Sequence, residues 1–432
     1  MANYSAKERL VASILSATPG LKGFIKDLYI NINAIKHKKD YKQKIVSDLI
    51  VGGIQVVKED SDVETFGGYY DVKLMNNKGL ILSHGTCNST IKLPSGENAV
   101  EILLTDIKTN ESTVIDSTKA FNWQQGSRLY WISEDKFIFN SLDVDVESDK
   151  YIAKVYSVSE GDFIGNYDKP VQASFEDKFF LAINYSRLLN MRPDYGYRNL
   201  PEITKNELKD YENDGIWKVD LQGDTETFLL HSLKQVLAIE TKDIFEKCNH
   251  KVNHLMINPS GTAFMFIHRY YLGKRRFDRL MLSDYSNLSV ILDDEYVSHC
   301  YWLDDERIIG YVQVDGVKGY YIINVRTKEV SSCEEITKLG YGDGHPSSYK
   351  DWVVFDSYPD KSRMQTLSVY HLKSKEVIKL LEVYQNPKYK GETRCDLHPR
   401  FSSDGKYITF DSVFNNKRQH CVIDVSNIIL RK

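Results

Sequence analysis

Three side chains able to hold a metal ion or move a proton stand within four positions of one another in RCDLHPRFSSDGKYITFDS, residues 394–412: Cys395, Asp396 and His398. Thiolate, carboxylate and imidazole are all competent ligands for a divalent ion, and mixed His/Cys sets favour zinc or a similar borderline metal. The spacing is not that of a zinc ribbon. A second His-Pro pair, at His345 in GHPSSYKDWVVFDSYPD, occupies the same place in the preceding sequence module, again ahead of a strand-like run. Matching phase predicts that both imidazoles point at one rim, so His345, Cys395, Asp396 and His398 form a candidate metal set. The competing reading is plainer: hydrogen-bonded structural histidines, a buried cysteine, and prolines that stiffen two loops.

These residues need elements to position them. After residue 50 short strands alternate with turns, and one module recurs: a turn, a strand, a variable hairpin, then a closing strand. Its clear copies are INPSGTAFMFIHRYY…DRLMLSDYSNLSVIL, HCYWLDDERIIGYVQVDGVKGYYIINVRTKEV, and the two that begin at His345 and His398; weaker copies begin at Tyr69, Leu129 and Pro170. Seven small sheets with a period of roughly 40–50 residues, none able to bury both faces alone, predict an all-β seven-bladed β-propeller over residues 48–432. LIVGGIQVV, residues 49–57, is expected to complete the last blade and close the ring. A two-sheet sandwich would not explain seven copies of one module.

Residues 1–47 read as a short helical appendage. Leu10, Val11, Ile14 and Leu15, then Leu21, Phe24, Ile25, Leu28 and Ile32, recur at helical spacing, with Pro19 and Gly20 between two helices. Lys22, Lys26, Lys36, Lys38 and Lys39 leave contact with a membrane surface or a partner open, although a cap packed on the main body is the preferred reading.

Composition sets outer limits. Lys+Arg 56 against Asp+Glu 60 gives a net charge of -4, so no global positive field exists to hold a nucleic acid backbone. The six cysteines are single and form no CxxC pair, which predicts free thiols in a reducing, cytoplasmic compartment. LVASIL near the N-terminus is too short and too polar for a signal peptide, and no run approaches the roughly 18 apolar residues of a membrane span. GxSxG elbows, Walker loops, GxGxxG turns after a strand and HExxH are all absent from the sequence.

Loops entering successive blades of a propeller converge at one end of its channel, so residues far apart in sequence meet there. By phase, His84 in LSHGTCNS, behind GGYYD, takes the equivalent rim position of the first module. His299 in SHCYW reads first as structural.

Three segments, FMFIHRYYLGKRRFDRLML, GHPSSYKDWVVFDSYPD and RCDLHPRFSSDGKYITFDS, resemble in order and interval the oligogalacturonate lyase group of seven-bladed propellers, whose architecture ulvan lyases share. The resemblance covers the last three or four modules, is weak over the first three, and does not reach the N-terminal helices. It implies β-elimination in uronate-containing oligosaccharides with a divalent metal such as manganese. By motif it puts His268 at the catalytic histidine and His345 and His398 at metal-ligand histidines. Where the family runs Gln, two residues, His, one residue, His, this chain has Thr393, Asp396 and His398, so a site rebuilt with Cys395 is expected.

The chemistry requires a base for the proton beside the carboxylate and a positive group for the enolate-like charge. His268 is the expected base, and Arg279 on the next strand the expected charge partner; Arg269 would point to the other strand face and is placed with the substrate contacts. FNWQQGSRLYWI offers Trp123, Gln124, Gln125 and Arg128, and NYSRLLNMRPDYGYRNL offers Arg192, Tyr195 and Tyr197, as sugar-stacking and carboxylate-reading groups. A Trp-centred blade core and an ordered insertion are their structural alternatives. The expected function is therefore a metal-assisted (Mn or Zn) lyase of acidic oligo- or polysaccharides. A non-catalytic glycan-binding propeller, or a transferase or accessory protein of surface polysaccharide synthesis, stands as the alternative.

Overall fold

Each module makes one antiparallel sheet, although the opening strands Glu64–Phe66 and Asn249–Ile257 lie ahead of the module starts read at Tyr69 and Ile257. The computed structural model describes residues 19–60, 62–144, 149–223, 226–429 and 431. Seven four-stranded meanders follow in chain order. Blade one runs Glu64–Phe66, Leu80–Thr86, Val100–Asp106 and Ser112–Thr118; blade two Tyr130–Trp131, Lys136–Asp143, Lys150–Ser157 and Asp162–Tyr167. Blade three comprises Val171–Phe175, Phe179–Ile183, Gly215–Asp220 and Thr227–Ser232; blade four Asn249–Ile257, Phe264–Leu272, Arg275–Ser283 and Leu288–Leu292. Blade five is Val297–Trp302, Arg307–Val314, Val317–Asn324 and Val330–Ser332; blade six Ser347–Tyr349, Trp352–Asp356, Met364–His371 and Val377–Tyr384.

Blade seven supplies only Arg400–Phe401, Tyr407–Ser412 and Gln419–Asp424 from its own module. Its fourth strand is Val51–Val56, which pairs antiparallel with Gln419–Asp424 through Gln55 opposite Val422 and Val56 opposite Cys421. The expected ring closure by residues 49–57 is thus what the chain does. A further short strand, Gln43–Ile45, adds to the outer edge of blade six beside Val377–Tyr384.

Alternation along each strand gives every blade two apolar faces, and neighbouring blades bury them against each other. Leu280, Ile291, Val297, Trp302 and Ile308 fill the seam between blades four and five, and Val354, Leu367, Phe401, Phe410 and Cys421 the seam between six and seven. Val57, Met75, Ile81 and Val422 seal blade seven to blade one.

Two local devices aim side chains into the channel. The innermost strands of blades four and five carry β-bulges, between Asn253 and Met256 and between Val297 and Cys300, and a bulge re-aims the extra residue. In blade one the strand breaks at Gly67 and Gly68. A Cβ on Gly67 would meet an Arg400 guanidinium nitrogen at 2.0 Å, and Gly68 sits at φ +110°, which glycine alone adopts without strain. Both glycine N–H groups donate to the Asp411 carboxylate, which turns Tyr69 and Tyr70 toward the axis.

The N-terminal helix runs Pro19–Lys36, with proline in the first turn, where a missing N–H costs nothing. The earlier of the two helices expected from sequence falls outside the described residues. Leu28, Ile32 and Ile35 face outward from this helix, while Tyr29, Ile30 and Asn33 face the propeller.

Closure by the Val51–Val56 strand should dominate stability. Val57→Pro removes the hydrogen bond from the Val57 N–H to His420 O and disturbs a fully buried side chain. We expect a loss of at least about 2 kcal/mol in urea unfolding; an unchanged midpoint would mean that the strand does not fasten the ring.

Candidate functional site

Four consecutive blades each deliver one imidazole to the channel. His254 and His299 lie in the bulges of blades four and five, and His345 and His398 stand two residues before the first strands of blades six and seven. His254 and His398 take left-handed backbone angles, φ +54° and +44°, a strain that folded proteins keep at functional positions. The rings form an arc: centroids are 6.4 Å apart for His254 and His299, 4.0 Å for His299 and His345, and 4.4 Å for His345 and His398. Tyr69 packs against all four.

Hydrogen bonds decide which nitrogen of each ring is free. His345 Nδ1 lies 3.0 and 3.1 Å from the two Asp356 oxygens, and its backbone N–H donates to the same carboxylate at 2.6 Å. This leaves His345 Nε2 for a ligand, the carboxylate–histidine arrangement that fixes a metal-binding tautomer. His299 Nδ1 donates to the backbone oxygen of Asp343 at 2.5 Å, which leaves its Nε2 unprotonated. His398 Nε2 is buried with no hydrogen-bond partner. Asp396 accepts from Arg394 Nε at 2.7 Å, and Arg394 also donates to Asp194 at 2.9 Å, tying the blade-seven loop to the blade-three insertion.

Ligand atoms of His345, Asp396 and His398 all lie within 4.8 Å of one another, and all three residues are buried. A buried imidazole nitrogen without a partner, beside a carboxylate and a second oriented imidazole, fits a divalent ion that takes N and O donors. Burial, then the neighbouring His345 and arginines, holds His398 well below the usual imidazole range; burial does the same for His254 and His299. Burial opposes a charge on His345 too, but Asp356 outweighs it and raises that pKa.

A pocket of about 480 Å³ lies beside the cluster; none of the four histidines nor Asp396 lines it, and it adjoins them through Asp343, Tyr358 and Arg394. Five tyrosines line it, Tyr29, Tyr296, Tyr341, Tyr358 and Tyr389, with five cations, Lys26, Lys361, Arg363, Lys390 and Arg394, against three carboxylates. Three lining residues belong to the cluster's own surroundings: Arg394 holds Asp396, Asp343 holds His299, and Tyr358 lies 6.2 Å from His345 between centroids.

The structure gathers only part of what the sequence proposed. His345, Asp396 and His398 converge; Cys395 does not. Its side chain is buried with Tyr389 and Val413, and burial raises the thiol to about 12, so the expected rebuilding of the site with Cys395 gives way to a His/Asp set. Thr393 turns its hydroxyl to Lys390 O.

His268 and Arg279 are also elsewhere. His268 Nε2 faces His250 Nδ1 at 3.0 Å and its Nδ1 accepts from Arg279 Nε at 3.1 Å, so both ring nitrogens are occupied inside blade four. The rest of the Arg279 guanidinium donates to the carbonyls of Val236, Ile239 and Glu240. His84 stacks on Phe66 and accepts from the Ser127 N–H at 3.0 Å. Arg269 is locked to Asp278 and donates to Val297 O.

In the first aromatic segment, Trp123 packs on Phe66 and Phe121, Gln124 donates to Arg394 O at 2.8 Å, and Gln125 is buried. Arg128 forms a two-pronged pair with Asp71 and lines a separate cavity of about 570 Å³ at the far ends of the first strands. In the second segment, Tyr197 stacks on Tyr185, whereas Tyr195 packs on Tyr69 and His254, and Arg192 pairs with Asp194 above them. His254, Asp343, Tyr358 and Arg394 were not singled out from sequence. The His-Pro phase rule misses His254 and His299 because bulges, not prolines, aim them.

Among solved structures, the chain is similar to a manganese complex of oligogalacturonate lyase, with a TM-score of 0.57 and 14% identity over 89% of this chain and 97% of that one. An oligogalacturonate lyase from Vibrio parahaemolyticus matches with a TM-score of 0.53 and 15% identity, over 89% of this chain and 98% of that one. No protein-family model and no curated protein matches the chain. The chain therefore shares the seven-bladed propeller of the oligogalacturonate lyases; identity this low establishes the fold alone.

Two measurements follow from this geometry. Metal analysis after incubation with Mn or Zn should show one bound ion that Asp396→Ala and His398→Ala abolish and Cys395→Ala retains; loss with Cys395→Ala would restore the thiol to the site. Separately, burial lowers His84 to about 3 and His250 to about 4, against about 6.5 unfolded. Such groups add stability above pH ~6.5 that is lost as pH falls toward their folded values, because only the unfolded chain takes up the proton. His345, with its raised pKa, works in the opposite sense. The urea midpoint should therefore drop between pH ~7.5 and ~5, and a midpoint flat over that range would mean these rings are not buried neutral.

Proposed function

We propose that this protein cleaves acidic, uronate-containing oligosaccharides by metal-assisted β-elimination, with the ion held by His345, Asp396 and His398. The observation that carries this reading is the partnerless, buried His398 Nε2 beside Asp396, whose partner Arg394 lines a neighbouring pocket of tyrosines and cations. Tyrosines stack on sugar faces, and an excess of cations suits a polyanionic ligand. When bound, the ion supplies positive charge against the enolate-like carboxylate of the reacting sugar.

The remaining steps fall to the chain. His299 takes the proton from the carbon beside the carboxylate: its Nε2 is unprotonated, and burial keeps the ring neutral. The electron pair of that C–H bond forms the new C=C bond as the bond to the glycosidic oxygen breaks. Tyr358, whose hydroxyl burial holds well above the ordinary tyrosine pKa, keeps a proton to deliver to that oxygen. Arg394 positions Asp396 and lines the pocket beside it.

His299 replaces His268 as base in this reading, since both nitrogens of His268 are already engaged. Manganese or zinc fits a donor set of two imidazoles and one carboxylate. Among the described residues no helix is long and apolar enough to cross a membrane. We place the activity in the cytoplasm because all six cysteines are free thiols.

A second reading has one observation behind it. Asp396 and Thr393 stand where the lyase group has histidine and glutamine, so the propeller binds the same glycans without cleaving them. Incubation with oligogalacturonates and Mn separates the two by ultraviolet absorbance of an unsaturated uronate. We expect product from the wild type and a loss of about 10²–10⁴-fold in kcat for His299→Ala, with metal content retained. Binding without any absorbance change would select the glycan-binding reading.

A further inference from the structure

One wall of the pocket is not made by the propeller. Lys26, Tyr29, Asn31 and Asn33 of the helix Pro19–Lys36 line it, opposite residues that hold the metal set in place. Asp27 pairs with Lys390, in the same loop that carries Arg394 and Asp396.

The orientation of this helix is unusual for a packing element. An amphipathic helix docked for stability turns its apolar stripe inward. Here Leu28, Ile32 and Ile35 are 49%, 53% and 78% exposed, and the cavity receives Lys26, Asn31 and Asn33 together with Tyr29 and Ile30. Lys26 is exposed and lines the cavity, so its ammonium can meet a ligand there. The resemblance of this chain to oligogalacturonate lyases does not extend to the segment.

The geometry points to the helix as the end wall of the substrate pocket: it restricts the site to the terminus of a short acidic oligosaccharide, and Lys26 contacts a sugar carboxylate there. This inference rests on the uronate reading above. A volume of about 480 Å³ lies in the range of small-ligand pockets. The Asp27–Lys390 pair is the latch that keeps the wall in position.

The test uses the full chain loaded with Mn, and compares trigalacturonate with polygalacturonate by calorimetry. Lys26→Glu should weaken trimer binding about tenfold, the loss expected for one charge-assisted contact, and Lys26→Arg should restore it. Asp27→Lys, which repels Lys390, should improve polymer binding several-fold and leave the affinity for Mn unchanged. If the wild type binds the trimer but Lys26→Glu binds it equally well and Asp27→Lys leaves polymer binding as it was, the helix is no part of the site, while the lyase reading stands. If the wild type binds neither uronate, that reading fails and this inference fails with it.

Discussion

Backbone hydrogen bonds between Val51–Val56 and Gln419–Asp424 join the chain's first propeller strand to its last, and the geometry of the channel depends on that junction. The sheets pack face to face only on their neighbours, so the angle between blades one and seven is the sum of every seam between them. With the ring closed, Tyr69 from blade one meets His398 from blade seven at 4.9 Å, and Arg400 reaches back to the carbonyls of Gly68 and Tyr69. Without closure nothing in blade seven would hold Tyr69 against the four imidazoles. The candidate metal set thus inherits its precision from a strand contributed far earlier in sequence, as the pairing of Val56 with Cys421 illustrates.

Charge burial at the mouth follows a consistent logic. Isolated buried charges are costly, and each one here has an opposite partner or a reason to be neutral. Arg394 bridges Asp194 and Asp396, Arg192 pairs with Asp194, and Asp343 accepts from Ser298 and Tyr296. His254, His299 and His398 stay neutral through burial, so three imidazoles are ready to act as ligands or bases without first losing a proton. Lys251 belongs with the groups kept neutral. Its amine is buried without a hydrogen-bond partner, and burial together with Arg269 and Arg192 pushes its pKa well down.

Some of the site could be read before folding because it depends on phase. His345 and His398 precede equivalent strands, and equivalent strands of a propeller start at the same end of the channel. His299 and His254 escaped that logic, since a β-bulge displaces a residue by one position and period-two alternation carries no sign of it. His268 failed for a related reason. Its strand is the second of blade four, away from the axis, and its nitrogens meet His250 and Arg279 within the blade.

By itself the sequence determined the number of blades, the closing role of residues 49–57 and one helix ahead of the ring, because each rests on local periodicity and turn chemistry. It also determined that two histidines would share a rim. Which way a loop residue points was settled only in three dimensions. Cys395 and Asp396 are adjacent, yet the thiol packs among apolar groups and the carboxylate joins the histidines, a choice made by the Arg394 guanidinium on one side and by Tyr389 and Val413 on the other. The placement of the N-terminal helix across the pocket was likewise a tertiary decision. Its pattern defines an amphipathic helix, but the surface it meets is built from blades five to seven, whose loops come together only after the ring has closed.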